Sequence, residues 1–399
     1  MTLDMTSFDA ALKVHYTDDR VKNLVYKNNP LLAMLPKMER FGGKNLPIPI
    51  QFGVPGSRSA SFADALAQKA GASSQFEDFV LTRVKDYCLA SIDNETLEAS
   101  IGNPNAFMEA AANEIDSAIH SCTRSLATAL FRDGTGTIGV AGGATAGVTL
   151  DLANVEDIVN FEVGMTIVST AASGTLPVVG TAVIAAVDRD TGVITTVAAH
   201  GMAPGEFIAC QGDLSAKISG LAAWVPDAAP GAALFFGVDR TADTSRLAGV
   251  RFNGAALANK VARLTAASAR LAREGGRPSH CIMNHVDYGE LLDELNQKVD
   301  YAEVASYERG DISFAGMRLH TPTGTVTVVP DHNCPTGKAY LLQMDTWKLY
   351  SLGGAPKILQ TDGMRFLRES SADGVEVRVG YYAQLGCRAP GYNCVITGF

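Results

Sequence analysis

A single uninterrupted helical pattern, from Asn103 to Gly134, limits what this chain can fold into more than any other stretch. Asn103 is a favourable N-cap, Pro104 suits the first helical turn, and Gly134 can adopt the left-handed conformation that ends helices. The spacing predicts one amphipathic helix, roughly 40 Å long, with a single buried face. Most compact enzyme cores are too small for a helix of this length. We call it the spine helix. Its apolar or small stripe comprises Phe107, Ala111, Ile115, Ile119, Cys122, Leu126 and Leu130.

Composition and charge exclude several classes of protein. The 399 residues suffice for two or three domains, and 47% hydrophobic with 19% charged residues is typical of a globular chain. The net charge of −9 argues against a protein that binds nucleic acid by neutralising phosphates. The seven cysteines show no C-x-x-C spacing, which indicates free thiols in a reducing compartment. No secretion signal is recognisable, and the uncharged stretch 163–187 holds too many Gly, Pro, Ser and Thr residues for a membrane helix.

The first 38 residues are predicted to form an arm rather than a domain. One short helix is expected to start at Thr17 and a second at Asn29-Pro30. Neither is long enough to be stable alone in water. We expect the arm to contact a neighbouring subunit. The alternative is an ordinary helix pair packed on its own core.

The residues after Arg40 predict a long protruding hairpin. Prolines at 47 and 49 favour an exposed or edge strand, a Gly/Ser/Ala tract covers 53–74, and a strand is expected from Phe79 to Ile92. A loop of this length seldom occurs in a compact domain without a use, although a disordered surface loop is the alternative. We expect the hairpin, residues 42–79, to be mobile in a free subunit and anchored on a neighbour. The predicted contact residues are Arg58, Phe62, Asp64, Leu66, Lys69 and Phe76.

Residues 136–216 form a separate unit by composition, with eight acidic residues and one basic residue. Two strands, 182–187 and 193–197, flank a five-residue turn that ends in Gly192. Further strands are expected at 155–169 and 206–211. The unit is predicted to be a small β-barrel or sandwich inserted into another domain, with an acidic surface and no calcium-binding loop.

The remainder of the chain alternates between helices and strands. Helices are predicted over 255–274 and 284–298, and the final segments, 375–385 and 393–396, are predicted to be extended. Shorter strands are expected at 280–283, 325–329 and 338–343. Strands at both ends of the chain, with helices between them, predict interleaved rather than serial domains.

The sequence predicts no catalytic, cofactor-binding or metal-binding residues. His280 and His285 lack the four-residue spacing of two ligands on one helix, and no G-x-S-x-G or Walker motif occurs. The glycines at 134, 136 and 139 follow a helix, whereas the dinucleotide-binding fingerprint follows a strand. An oligomeric enzyme whose active site is assembled from distant residues is the alternative.

The order of arm, hairpin, spine helix and later α+β unit resembles the major capsid proteins of tailed bacteriophages. The resemblance covers nearly the whole chain, and it depends on the order of elements more than on any one motif. It implies an α+β fold of the Hong Kong 97 type. The stretches that carry it are Asn29–Leu32, Phe41–Lys44, Ser59–Ala65, Asp133–Gly136, Gly237–Arg240 and Asp345–Trp347.

The resemblance also implies domains and partners. The domains are an N-terminal arm (1–39), an extended E-loop (40–80), a peripheral domain with the spine helix (81–135), the inserted all-β domain (136–216), an axial domain (217–345) and returning strands of the peripheral domain (346–399). Copies of the chain are expected to form hexamers and pentamers in the host cytoplasm, with a separate scaffolding protein, a portal and, as a candidate further partner, a decoration protein. The product would be a virion capsid that encloses double-stranded DNA without sequence-specific binding and without a membrane. A shell of the encapsulin type is the alternative.

Overall fold

A computed structural model describes residues 28–71, 73–95, 104–143, 147–295, 301–305, 313–360, 367–368 and 373–399. Predictions for residues 1–27 and for Asn103 lie outside these ranges. The α-helices are α1 (Pro30–Met34), α2 (Phe62–Ala67), α3 (Pro104–Phe131), α4 (Leu221–Trp224), α5 (Lys260–Ala272) and α6 (His285–Leu295). The strands are β1 (Lys37–Met38), β2 (Asn45–Gly53), β3 (Gln75–Thr82), β4 (Val84–Asp93), β5 (Thr137–Val140), β6 (Thr149–Asp151), β7 (Thr166–Thr170), β8 (Val178–Asp188), β9 (Val193–Thr196), β10 (Phe207–Cys210), β11 (Val250–Asn253), β12 (His280–Met283), β13 (Tyr301–Ala305), β14 (Ser313–Thr321), β15 (Gly324–Pro330), β16 (Lys338–Leu342), β17 (Trp347–Ser351), β18 (Lys357–Ile358), β19 (Leu367–Arg368), β20 (Gly374–Cys387) and β21 (Cys394–Thr397).

Helix α3 is the predicted spine helix, and the described part of its apolar stripe is buried in the main core as expected. The periodicity of three and four residues is what places these side chains on one face. Gly134 has a φ of +89°, which confirms the expected left-handed stop. The buried members of the stripe are Ile115, Ile119, Cys122, Leu126 and Leu130. The side chains of Phe107 and Ala111 are not among those that the structure describes.

The spine helix packs on a sheet built around the long strand β20. Strand β4 pairs with β20 antiparallel over ten residues, from Asp93 opposite Gly374 to Val84 opposite Ala383. The single strand predicted from Phe79 to Ile92 is therefore wrong, because the chain changes partners at Arg83. Residues before Arg83 belong to the hairpin and residues after it belong to the spine-helix sheet.

A second, seven-stranded sheet has the order β11-β21-β16-β12-β15-β14-β13, and helices α5 and α6 pack on it around a core of their own. Its strand β21 comes from the end of the chain and lies between β11 and β16. Residues 394–397 therefore pair within this sheet and not within the spine-helix sheet, whereas the expected span 346–399 grouped them with the returning strands of the peripheral domain. Helix α5 also starts at Lys260 rather than at residue 255, since Asn259 occupies the N-cap position.

The described part of the predicted arm packs on its own subunit. Leu31, Leu32 and Leu35 are buried in the main core, and β1 pairs in parallel with β17. The backbone N–H of Leu31 also donates to the buried carboxylate of Asp331, at 3.2 Å. For residues 29–38 the arm prediction is therefore wrong, and the alternative of a segment packed on its own core describes them.

The inserted unit is a small β-barrel with a core of its own. Its sheet order is β5-β10-β7-β8-β9-β6, and a bridge between Ala141 and Leu152 joins the two outer strands. The predicted strand at 155–169 is shorter than expected, because Val155–Asn160 is a 3₁₀ helix. The uncharged stretch 163–187 lies in β7 and β8, and none of the helices in the described ranges is long and apolar enough to cross a membrane.

Removal of the barrel should leave the rest of the chain folded. The barrel ends meet where the Ser215 N–H donates to the Thr135 carbonyl at 2.9 Å, so a short Gly/Ser bridge can replace residues 136–214. Because the barrel core is separate from the other two, we expect a cooperative thermal transition and a spectrum with less strand signal. Circular dichroism of this variant measures both properties. A non-cooperative transition would show that the main body depends on the barrel.

Candidate assembly surface

Strands β2 and β3 form the predicted hairpin as a separate two-stranded sheet. They pair antiparallel from Asn45 opposite Thr82 to Gly53 opposite Gln75. Pro47 and Pro49 cannot donate to a second neighbour, which suits a strand with one partner. The tip between the two strands is not a featureless loop, because it contains α2 and a short 3₁₀ turn, Lys69–Gly71.

The base of the hairpin belongs to the main core of its own subunit. The Phe79 ring is fully buried, with its centroid 5.0 Å from that of Trp224 and 6.1 Å from that of Phe235. Strand β20 approaches the base closely at Gly386, where a Cβ would lie 2.8 Å from Ile48 Cδ1 and 2.9 Å from Leu81 Cδ1. The expectation that residues 42–79 are mobile in a free subunit and anchored only on a neighbour is therefore wrong for the base of the hairpin, and it stays a prediction for the tip.

Short-range hydrogen bonds organise the tip. The Gly56 N–H donates to the Gly71 carbonyl at 2.7 Å, which holds the two sides of the tip together. Ser61 caps α2, because its hydroxyl accepts from the Asp64 N–H. These contacts are local, so the tip presents its side chains outward instead of packing them on the rest of the subunit.

All six predicted contact residues lie on this tip or beside it, and all are exposed. The Phe62 ring is 83% exposed, and Leu66 and Phe76 are 58% and 62% exposed. Arg58, Asp64 and Lys69 form no ion pair with any residue that the structure describes. The role of the six residues in subunit contacts stays a prediction.

The sequence analysis missed a second exposed apolar surface on the spine-helix sheet. Tyr87 and Leu89 project from β4 on the face opposite the buried Ala90 and Ile92. Together with Tyr382, whose ring centroid lies 6.0 Å from that of Tyr87, they line a groove of about 800 Å³. The sequence does indicate this second surface. Strand β4 carries apolar residues at both odd and even positions and therefore has two apolar faces.

A polar interface holds the barrel against the spine helix. Arg124 pairs with Glu162, and Arg132 pairs with Asp157 at 2.6 Å. The barrel and the spine helix are therefore in direct contact. Arg124, Glu162 and Arg132 line a cavity of about 840 Å³ between the barrel, the spine helix and β4.

Lys217 lies at the centre of this interface. Its Nζ is 2.6 Å from Asp86 Oδ2 and 3.2 Å from Asp213 Oδ2, which connects β4 to the end of the barrel. Burial alone would lower the pKa of Lys217, but the two carboxylates outweigh burial and leave that pKa raised. Burial raises the pKa of Asp213, and the Lys217 charge offsets part of this rise. In the described ranges, no group of three His, Cys, Asp or Glu side chains is arranged to hold a metal ion.

Comparison with solved structures identifies the fold. The chain is similar to the capsid asymmetric unit of cyanophage A-1(L), with a TM-score of 0.50, 13% identity and 93% of each chain covered. It also matches the satellite phage P4 procapsid, with a TM-score of 0.42, 12% identity and 98% and 96% of the two chains covered. A third match is the SrpI encapsulin of Synechococcus elongatus PCC 7942, with a TM-score of 0.43, 10% identity and coverages of 100% and 96%. No protein-family model and no curated protein matches this sequence. The α+β architecture and the cyanophage match together show that this chain has the Hong Kong 97-type fold of phage capsid proteins.

Proposed function

We propose that this chain is the major capsid protein of a tailed phage, a structural subunit that assembles with copies of itself into a closed icosahedral shell. The observation that carries the proposal is the hairpin, whose base is buried in the subunit core while its tip presents Phe62, Leu66 and Phe76 to solvent. The fold supports it, since the same fold occurs in the cyanophage A-1(L) capsid.

The physical argument rests on what a shell subunit needs. A closed shell requires contacts between different surfaces of successive copies, arranged so that rotation closes the ring. A protruding apolar tip supplies one such surface. Assembly through such a surface does not require an active site. Burial of an exposed Leu or Phe side chain contributes on the order of 2 kcal/mol, so three of them offset the ordering of several tip residues.

The further partners follow from the same proposal. A separate scaffolding protein would guide closure, a portal would occupy one vertex, and a decoration protein could bind outside, where we place the acidic barrel. The net charge of −9 is compatible with DNA that is enclosed under packing force rather than bound by affinity. Assembly in the host cytoplasm and a final location in the virion capsid complete the proposal.

The purified chain should form closed shells under assembly conditions with its scaffolding protein present. Light scattering gives the particle mass and negative-stain microscopy gives the particle shape. Particles of one or a few discrete diameters are the expected result. Monomers or small oligomers alone would contradict the shell proposal, and shells that enclose an enzyme instead of DNA in their native host would support an encapsulin-type container.

A further inference from the structure

The outer face of the barrel carries an apolar patch along strand β8. Side chains alternate along this strand, so that Ala182 and Ile184 point into the barrel core while Val179 and Val183 are exposed. The Val197 N–H donates to the Val183 carbonyl at 2.9 Å, which places the exposed Val197 beside Val183. We call this surface the valine patch. Its members are Leu176, Val178, Val179, Val183 and Val197.

The two segments that form the valine patch are uncharged, although the barrel is strongly acidic. Residues 163–187 and 191–205 contain no Asp, Glu, Lys or Arg. Residues 136–216 as a whole hold eight acidic residues and one basic residue, which gives a net charge of −7. Asp188 and Asp190 lie at the turn between β8 and β9, at one end of the patch. A partner of this patch therefore has to offer apolar side chains and to be compatible with an acidic surround.

The tip of the hairpin, residues 54–74, has the complementary chemistry. Phe62 and Leu66 are exposed on it, and the exposed Phe76 lies beside it. Its charged residues are Arg58, Asp64 and Lys69, so the tip carries a net charge of +1. Contact between the tip and the valine patch would remove apolar side chains of both surfaces from water and would bring opposite net charges together.

Charge disfavours two other contacts that these surfaces could make. Two barrels that met through their valine patches would each bring a net charge of −7, and they would repel each other. The groove at Tyr87 is lined by Lys357, Arg378 and Glu376, so its net charge of +1 has the same sign as that of the tip. The barrel is therefore the better match for the tip.

We propose that the tip of one copy docks on the valine patch of a neighbouring copy, with Phe62 and Leu66 packed against Val183 and Val197. The inference rests on the proposed shell function and names the surface that receives the tip. Because the two surfaces differ, the contact is heterologous, and its repetition around an axis can close a ring. The opposite net charges would speed the encounter of two copies and would orient it.

The test is photo-cross-linking in assembled shells. Phe62 of the full-length chain is replaced by p-benzoylphenylalanine, and copies labelled with light and heavy isotopes are mixed before assembly. After irradiation and digestion, mass spectrometry should find position 62 of one copy joined to residues 176–197 of another. The same probe in place of Val197 should join to residues 54–76 of a neighbour. The probe in place of Val155 should not.

The Val183→Asp variant measures the contribution of the contact to assembly, and Val155→Asp is its matched control. The two valines are 41% and 43% exposed in the subunit, and each substitution adds one carboxylate to the barrel. Val155 lies in the 3₁₀ helix beside Gly192, outside the valine patch. Val183→Asp should raise the protein concentration needed for shells about tenfold, because it would bury an unpaired carboxylate against apolar side chains. Val155→Asp should leave this concentration nearly unchanged. The Val197→Asp variant replaces Val183→Asp if urea denaturation shows that the latter does not fold.

The outcomes separate this inference from the proposed function. Shells in which the Phe62 probe joins to another surface, such as the groove at Tyr87, would overturn the inference and leave the shell function intact. Equal effects of Val183→Asp and Val155→Asp on assembly would do the same. A probe at Val197 that joins to a separate protein would assign the valine patch to a decoration partner and overturn the inference. A native chain that forms no shells would contradict the proposed function, and the inference would be overturned with it.

Discussion

Replacement of Phe79 with alanine should lower the free energy of unfolding of the unassembled subunit by about 3–5 kcal/mol, whereas Phe62→Ala should leave it nearly unchanged. The two residues belong to one hairpin and are chemically identical, so they form a matched pair. Phe79 packs between Trp224 and Phe235 with no exposed surface. Phe62 is 83% exposed, and its ring is therefore available only to another molecule.

The same pair should behave differently in assembly. Phe62→Ala should reduce the yield of shells because the tip loses an apolar contact with its neighbour, and Phe62→Leu should retain most of the yield. Urea denaturation of the unassembled variants gives the stability, and sedimentation under assembly conditions gives the yield. A large loss of stability in Phe62→Ala together with normal shells would place Phe62 in the core of its own subunit and contradict the proposed role of the tip.

Local patterns in the sequence were sufficient to predict the elements that short-range physics determines. The spine helix was predicted because its periodicity, its N-terminal proline and its terminal Gly134 all indicate the same helix. The barrel was predicted from a change in composition and from the turn that ends at Gly192. The exposed tip followed from its small polar residues, which supply little apolar surface of their own.

The pairings of distant segments could not be predicted from the sequence, and the reason is physical. Strand β21 lies between β11 and β16, and β1 lies beside β17, but hydrophobic periodicity does not say which strand will be the neighbour. The contact between Lys217 and Asp86 could not be predicted for a similar reason. No sequence spacing links a lysine after the barrel to an aspartate in β4. The exposure of Phe62, Leu66 and Phe76 could be predicted because exposure, unlike pairing, follows from local composition.

Replacement of Lys217 with alanine should destabilise the subunit by about 3–5 kcal/mol, because it leaves two buried carboxylates without a cation. The side chains of Lys217, Asp86 and Asp213 are only 11%, 13% and 22% exposed. Asp86 keeps two other donors, the hydroxyls of Ser125 at 2.6 Å and Tyr381 at 3.3 Å, but neither carries a compensating charge. The matched control is Arg189→Ala, which breaks a pair with Glu162 whose members are each about half exposed. That change should cost about 0–1 kcal/mol.

The pH dependence of the Lys217→Ala variant distinguishes loss of charge balance from loss of packing. The pKa of Asp213 is already raised by burial, and removal of the ammonium should raise it further. A carboxyl group with a raised pKa in the folded state destabilises that state while it is ionised, and this penalty disappears as the pH falls through the folded-state pKa. The difference in stability between the variant and the native chain should therefore shrink between pH 7 and about pH 5, as urea denaturation at each pH would measure. A difference that stays constant over this range would mean that Lys217 acts through the packing of its aliphatic stem rather than through its charge.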